Sequence, residues 1–202
     1  MKLILQTSPH FFVEEDKILA TLFDEGLDLL LLRKPGTEPI YSERLLTLLP
    51  EKYHDRVIVH DHFYLKDEFN LLGIHLNKAN PIPPSNYNGP IARSCYSLKE
   101  VEEYKKECIY VSLKNIYDSI SQPANKADFT QEQLVEATRR GIIDKDVMAQ
   151  GGISLENIPE IRKLGFGGVI VSGDLWNLFD IHNGFDFKEL IARFRRLRKA
   201  TG

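Results

Sequence analysis

The sequence has few cysteines, no excess of positive charge and no long apolar run. Its two cysteines, Cys95 and Cys108, cannot form a disulfide framework and fit a reducing compartment. With 26 Lys and Arg against 29 Asp and Glu, the net charge of −3 argues against a general affinity for nucleic acid or acidic membranes. No stretch approaches the roughly 18 apolar residues of a membrane span, and the apolar segment after Met1-Lys2 is too short for a signal peptide. We therefore expect a soluble, cytoplasmic protein with no nucleic-acid or membrane partner.

Two sequence signatures are also missing. No apolar segment is followed by G-x-G-x-x-G, which argues against a dinucleotide-binding open sheet. No serine or cysteine lies in a G-x-S-x-G context, which argues against a hydrolase built on such a nucleophile. The composition, with 43% hydrophobic and 27% charged residues, is that of an ordinary globular protein. The length predicts a single domain, residues 1–202.

One stretch, Val147–Asp174, organises the rest of the chain and reads as strand, helix, strand. Apolar runs at Val147–Gln150 and Val169–Val171 flank an amphipathic segment, Leu155–Leu164, for which Ser154 is the expected N-cap. Loops this short predict two parallel strands joined by a right-handed crossover.

Both of these strands end in small residues. Gly151 and Gly152 follow the first, and Ser172 and Gly173 follow the second. Backbone N–H groups at such ends are free to point at an anion. We therefore predict a phosphate site at the rim formed by the seventh and eighth strands of a parallel barrel.

The same alternation runs through the whole chain. The predicted strands are Leu3–Leu5, Leu29–Leu32, Arg56–Asp61, Gly73–Leu76, Pro90–Ser94, Cys108–Leu113, Val147–Gln150 and Val169–Val171. The helices predicted between and after them include Ser42–Leu49, Phe63–Phe69, Leu98–Lys106, Asp174–Leu178 and Phe187–Lys199. Eight strands in this pattern predict an α/β protein with a single (β/α)₈ TIM barrel. A doubly wound open sheet is the alternative, and it lacks its glycine motif.

Polar residues collect where these predicted strands end. They are Arg33, Lys34, His60, Asp61, His75, Ser94, Lys114, Gly151-Gly152 and Ser172-Gly173. Cations, a carboxylate and backbone donors on one rim suit a phosphorylated ligand, with a divalent cation held by Asp61. Asp61 is equally suited to cap the short helix that follows it.

The chain resembles the thiamine-phosphate synthase and thiazole tautomerase superfamily of small (β/α)₈ barrels. The segments that carry the resemblance are LLLLRK, VIVHDHFYL, LLGIHLNK, ARSCYSLKEV, VSLKNIYDSIS and AQGGISLENIPEIRKLGFGGVIVSG. The last segment is the most specific. The resemblance covers nearly the whole chain and implies a role in thiamine biosynthesis, with phosphorylated pyrimidine and thiazole compounds as substrates.

The resemblance also implies roles for individual residues. On the diphosphate side the residues that act on the substrate are Arg33, Lys34, His60 and Ser94. A Mg²⁺ ion is implied at Asp61 and Asn80. The thiazole phosphate is implied to bind at Ser119, Ser121, Gly151, Gly152, Ser172 and Gly173.

This sequence departs from the family pattern at several of these places. Leu31 and Pro35 stand where the family has a glutamine and a lysine near Arg33, and His60 replaces the asparagine before Asp61. Asn80 replaces the second magnesium aspartate. Gln122 replaces the lysine that ends the thiazole-phosphate loop, and Asn115 replaces the tautomerase histidine. A carboxylate paired with an amide binds magnesium more weakly than two carboxylates.

Three functions therefore remain open at this point. The resemblance favours condensation of hydroxymethylpyrimidine diphosphate with hydroxyethylthiazole phosphate, giving thiamine phosphate and pyrophosphate. A thiazole tautomerase acting on thiazole carboxylate phosphate is the second function, and a non-catalytic protein that binds thiamine phosphate or a precursor is the third. The sequence does not distinguish a monomer from a homo-oligomer.

Overall fold

The computed structural model describes residues 1–122, 124–177 and 187–202, and within them eight parallel strands close into a barrel. The strands are Lys2–Gln6 (β1), Leu29–Leu32 (β2), Val57–Val59 (β3), Gly73–Leu76 (β4), Ile91–Cys95 (β5), Tyr110–Leu113 (β6), Val147–Gln150 (β7) and Gly168–Val171 (β8). Each strand pairs with its neighbour in sequence, and β8 pairs with β1 to close the ring. The predicted (β/α)₈ barrel is confirmed.

Helices pack around the outside of the strands. They are Glu15–Asp24 (α1), Pro39–Leu48 (α2), Leu65–Glu68 (α3), Leu98–Tyr104 (α4), Gln131–Arg139 (α5), Ile158–Lys163 (α6), Gly173–Trp176 (α7) and Phe187–Thr201 (α8). A 3₁₀ helix, Glu51–Arg56, leads into β3. Residues 77–90, all of them described, contain no helix and form a long loop between β4 and β5. In the described part of the chain no helix is both long and apolar enough to span a membrane.

The predicted strands are all present, and their ends differ from the predicted ends by at most two residues. The helix before β8 differs more, because it begins at Ile158 and not at Leu155. Its N-cap position is Asn157, whose side chain accepts the Ser154 N–H at 2.9 Å and donates to the Gly152 carbonyl at 2.8 Å. These bonds hold residues 154–157 in a turn, so Ser154 is not the N-cap.

Other helix boundaries move for local reasons. The second helix starts at Pro39, since proline suits the first turn, and not at Ser42. The helices predicted at Phe63–Phe69 and Leu98–Lys106 are shorter than expected. Of the turn predicted at Asp174–Leu178, the structure has α7, while Leu178 lies outside the described residues.

Two layers of apolar side chains make up the core. The larger layer lies between strands and helices. The smaller fills the barrel interior and consists of Ile4, Leu29, Leu31, Ile58, Ala92, Tyr110, Met148 and Ile170. Side chains alternate between the two faces along a strand, so every strand except β4 contributes apolar side chains to both layers. The interior layer forms the floor on which the rim residues stand.

Ile58, at the centre of the three-residue strand β3, tests the importance of this floor. Ile58→Ala should lower the free energy of unfolding by about 2–5 kcal/mol, because the fully buried side chain leaves a cavity in the barrel. Val135→Ala is the matched control, since Val135 is 52% exposed on α5 and its loss should change little. Urea unfolding of both variants measures the difference. Equal stabilities would contradict a packed interior.

Candidate functional site

Polar side chains replace apolar ones at the C-terminal end of the barrel interior. Side chains two residues apart on a strand point to the same face. Along most of the strands, the residue two positions after an interior apolar residue is polar and also faces the barrel interior. We call these residues the polar ring: Gln6, Arg33, His60, His75, Ser94, Ser112, Gln150 and Ser172. They lie at the C-terminal ends of all eight strands or directly after them, so the strand ends converge on one rim.

His75 is the buried anchor of the polar ring. Its Nε2 lies 2.9 Å from the Ser94 Oγ, and its Nδ1 lies 3.2 Å from the Tyr110 hydroxyl. Complete burial holds the pKa of His75 well below its ordinary value, so the imidazole is neutral. Ser94, expected to act on substrate, is buried and uses its hydroxyl in this contact. The bond fixes the orientation of both side chains.

His60 stacks on His75, with ring centres 5.5 Å apart. Burial, opposed by Asp61, lowers the pKa of His60, so this imidazole is also neutral. Asn77 fixes its tautomer: the Asn77 Oδ1 accepts the Ala79 N–H at 2.8 Å, which leaves the Nδ2 to donate to the His60 Nδ1 at 3.3 Å. We infer that the ring proton is on Nε2 and that Nδ1 is an acceptor.

This tautomer leaves one oxygen of Asp61 without a partner. The Asp61 Oδ2 lies 3.5 Å from the His60 Nδ1, but no proton lies between them, and this buried oxygen accepts no hydrogen bond. Burial acts to raise the pKa of Asp61, but the charge of Arg33 opposes it, and the pKa lies below its usual value. Asp61 is therefore an ionised carboxylate with one free oxygen.

Asn80 is close to this carboxylate, as the expected metal pair requires. Its side-chain nitrogen lies 3.4 Å from the Asp61 Oδ1, and its backbone carbonyl accepts the Asn77 N–H at 3.1 Å. Among the described residues no group of three or more His, Cys, Asp or Glu could hold a metal ion by itself. Mg²⁺ is commonly bound by one or two carboxylates together with substrate phosphate oxygens. The free oxygen of Asp61 fits that kind of site, with oxygens from the ligand completing the coordination.

Two cations of the rim have no carboxylate partner in the described ranges: Arg33 and Lys114. Arg33 is partly buried at the end of β2. Lys114 directly follows β6 and points to the same inner face as Ser112, two residues earlier. Its backbone N–H donates to the Cys95 carbonyl at 2.9 Å. Burial and then repulsion from Arg33 lower the pKa of Lys114 to about 8. The rim therefore carries two cations that form no ion pair with a carboxylate in the described ranges, and only the nearby charge of Asp61 partly offsets them.

Lys34 does not contribute to this charge, and the expectation that it binds pyrophosphate is wrong. Its ammonium donates to the two carboxylate oxygens of Glu15 at 2.6 and 2.8 Å and to the His10 carbonyl at 3.1 Å. These bonds occupy all three donors, and the side chain is only 1% exposed. Arg33 faces the barrel interior, so its neighbour Lys34 faces the helix layer.

On the phosphate side, the loop after β6 packs directly on Gly151 and Gly152. Both glycines have a left-handed backbone, with φ of 101° and 64°. A Cβ on Gly151 would lie 2.7 Å from the Asn115 nitrogen, and one on Gly152 would lie 2.3 Å from the Asp118 carbonyl oxygen. The glycines are therefore required for the close approach of the loop as well as for the turn.

The same loop also reaches the end of β8. A Cβ on Gly173 would lie 3.2 Å from the backbone nitrogen of Ser121. Ser119 accepts the Gln122 N–H at 3.1 Å and so stabilises a turn within the loop. The structure therefore packs one loop against Gly151, Gly152 and Gly173, with Ser121 of the loop beside Gly173. In the described part of the chain the N–H groups of Gly152 and Gly173 have no acceptor.

Several residues of this rim were not singled out by the sequence analysis. Gln150 donates to the Gln6 side chain at 3.2 Å, and its own oxygen is buried without a partner, as is the Ser112 hydroxyl. Lys114 was recognised as a strand-end residue but given no role. The signal that identifies them is the inward alternation, which becomes readable once the strand register is known.

Comparisons with known proteins place the chain among related sequences and structures. The family model described as thiamine monophosphate synthase matches residues 3–175. The crystal structure of a thiamine phosphate pyrophosphorylase from Bacteroides thetaiotaomicron is 52% identical, with a TM-score of 0.92 over 99% of this chain and 97% of that one. Thiamine-phosphate synthases from Flavobacterium johnsoniae and Staphylococcus carnosus are each 26% identical, over 74% and 68% of this chain and 76% and 67% of their own.

The Lys34–Glu15 pair predicts a stability effect. Lys34→Met should lower the free energy of unfolding by about 3–5 kcal/mol, because it leaves the buried Glu15 carboxylate without its counter-ion. Lys17→Met removes the exposed partner of Glu14 and should have no measurable effect. Chemical denaturation compares the two. If Lys34→Met unfolds like the wild type, the buried pair is not as the structure has it.

The glycine contacts predict a difference between two left-handed positions. Gly141→Ala has open space around the new methyl group and should cost only the conformational penalty of about 1–2 kcal/mol. Gly152→Ala should cost more, since the loop at Asp118 must move away. Limited proteolysis should then cut residues 114–122 faster in Gly152→Ala than in Gly141→Ala. Equal cleavage and equal stability would contradict the close packing.

Proposed function

Because the chain belongs to the thiamine monophosphate synthase family, we propose that it condenses hydroxymethylpyrimidine diphosphate with hydroxyethylthiazole phosphate. The products are thiamine phosphate and pyrophosphate. In this reaction the bond from the pyrimidine methylene carbon to the diphosphate oxygen breaks, and the oxygen leaves with the electron pair. The thiazole nitrogen then forms the new carbon–nitrogen bond.

One observation carries the proposal: an ionised carboxylate with a free oxygen, Asp61, shares the rim with two cations that have no carboxylate partner in the described ranges. This arrangement matches a diphosphate, because the cations bind phosphate oxygens and the carboxylate binds a cation that bridges to them. A ligand without such charge would leave Arg33 and Lys114 uncompensated. The diphosphate half of the reaction therefore has the electrostatics that it needs.

The residues on this half act on the leaving group. Arg33 binds the diphosphate, and the Nε2–H of neutral His60 is available as a hydrogen-bond donor to it. Asp61, with Asn80 beside it, would hold Mg²⁺, which supplies positive charge to the departing diphosphate. Fixed charges around a leaving group lower the barrier because they need no reorganisation as the charge develops.

The other half of the rim positions the nucleophile. We assign the thiazole phosphate to the backbone donors at Gly152 and Gly173 and to the hydroxyl groups of Ser119, Ser121 and Ser172. Gly151 permits the loop to close over this site. With the phosphate anchored there, the thiazole nitrogen is held toward the barrel axis, and such positioning is itself a large part of catalysis.

The tautomerase alternative has less support. Its histidine position is Asn115, which adopts a left-handed backbone with φ of 57° and donates to the Asp128 carboxylate at 2.7 Å. Asparagine tolerates this backbone better than most residues, so Asn115 has a structural reason to be there. A non-catalytic binder is favoured by the amide at Asn80 and by Leu31, which is fully buried in the interior floor.

The deciding experiment is to mix both substrates with Mg²⁺ and the purified protein and to measure thiamine phosphate formation. We expect product, with turnover slower than that of a family member with both magnesium aspartates. Binding of the thiazole phosphate without product formation would support the non-catalytic alternative. Conversion of thiazole carboxylate phosphate would support the tautomerase.

The metal assignment predicts opposite effects of two substitutions. Asp61→Asn should reduce the synthase rate about a hundredfold or more, because it removes the carboxylate charge that would hold Mg²⁺. Asn80→Asp should lower the Mg²⁺ concentration needed for half-maximal rate, since it adds an anionic ligand. Asp67→Asn, on α3 with a side chain that is 77% exposed, is the control for loss of a surface carboxylate. A rate unaffected by chelator and by Asp61→Asn would remove Mg²⁺ from the mechanism.

A further inference from the structure

Lys114 occupies an unusual position for a lysine. It stands on the inner face of the barrel, two residues above Ser112 and four above Tyr110, both of which are fully buried. In the described ranges it has no carboxylate, carbonyl or hydroxyl partner for its ammonium. An unpaired, partly buried cation is unfavourable for folding. An anionic ligand that pairs with Lys114 would explain why the rim contains such a cation.

The geometry indicates where such a partner would bind. Strands β2 and β6 are four positions apart in the eight-stranded ring, so Arg33 and Lys114 approach the barrel axis from opposite sides. The charge of Lys114 acts on His60 and His75, and the charge of Arg33 acts on Lys114. The two cations therefore face a common space above the histidine pair. An anion in that space would compensate both.

We propose that Lys114 is a substrate-binding residue that holds, together with Arg33, the diphosphate of the pyrimidine substrate above the barrel axis. This inference rests on the proposed function and extends it, since it assigns the second cation of the diphosphate site to β6. A diphosphate suits the place better than a single phosphate, because it is longer and carries more charge between cations on opposite strands. Lysine binds such groups as a compact charge.

The single-phosphate site is a separate place in the fold. It lies at the ends of β7 and β8, under the loop that contains Ser121, and its donors are mainly backbone N–H groups. Inorganic pyrophosphate and inorganic phosphate are therefore useful as separate probes. A residue of the diphosphate site should affect the first probe much more than the second.

The test is Lys114→Met, which keeps the length of the side chain and removes its charge. By calorimetry with Mg²⁺ present, binding of inorganic pyrophosphate should weaken about ten- to a hundredfold, as for a lost hydrogen bond to a charged group. Binding of inorganic phosphate should change little. Lys145→Met is the control, because Lys145 is 85% exposed before the start of β7, at the opposite end of the barrel.

Stability without ligand separates binding from a structural role. If Lys114 is kept for the ligand, Lys114→Met should unfold at the same or a higher denaturant midpoint, because an uncompensated charge has been removed. A lower midpoint would show that Lys114 stabilises the fold itself and would overturn the proposal. Unchanged pyrophosphate binding in Lys114→Met would also overturn it. An equal loss of phosphate and pyrophosphate binding would overturn the assignment to the diphosphate.

These outcomes are distinct from failure of the proposed function. If the protein makes thiamine phosphate and Lys114→Met leaves pyrophosphate binding intact, the synthase stands and this inference fails. If no thiamine phosphate forms but pyrophosphate binding depends on Lys114, the anion site stands and the synthase proposal fails.

Discussion

The pairing of β1 with β8 is the constraint on which the rest of the structure depends. Lys2 pairs with Gly168 and Leu5 with Val171, and this pairing turns a row of parallel strands into a ring. Once the ring is closed, every second residue of every strand must face a space that has no solvent below the rim. The inward-facing residues in the middle of the barrel, such as Ile4 and Ile170, are therefore apolar. Inward-facing residues are polar near the C-terminal ends of the strands, where the barrel opens.

The proposed site would combine two different ways of binding an anion. Over β2, β3 and β6 it uses the formal charges of Arg33, Asp61 and Lys114, with the stacked, neutral His60 and His75 beside them. Over β7 and β8 it uses backbone donors and a tightly packed loop. The first arrangement suits a group that leaves with its charge, and the second suits a group that stays bound throughout the reaction.

The sequence predicted most of the fold, because eight apolar runs of strand length were separated by turns and helices. The metal role of Asp61 and Asn80 and the phosphate role of the glycine ends stay predictions, although the structure places Asn80 beside Asp61. The sequence did not predict that Lys34 points away from the rim. Arg33 and Lys34 are adjacent cations, and the sequence does not show which of the two faces the barrel interior until the strand register is known. It misplaced the start of α6, because Ser154 and Asn157 are both good capping residues and only the contact of Asn157 with Gly152 decides between them.

If Arg33 and Lys114 bind phosphorylated ligands as proposed, the lifetime of the protein depends on the supply of those ligands. A ligand that binds only the folded state stabilises it by an amount that grows with the logarithm of its concentration. An empty rim retains the repulsion between the two cations, whereas a filled rim does not. Proteolysis in a cell acts on transiently unfolded chains, so a small gain in stability changes protein abundance. The amount of this protein should consequently rise when its phosphorylated ligands are plentiful, without any change in its synthesis.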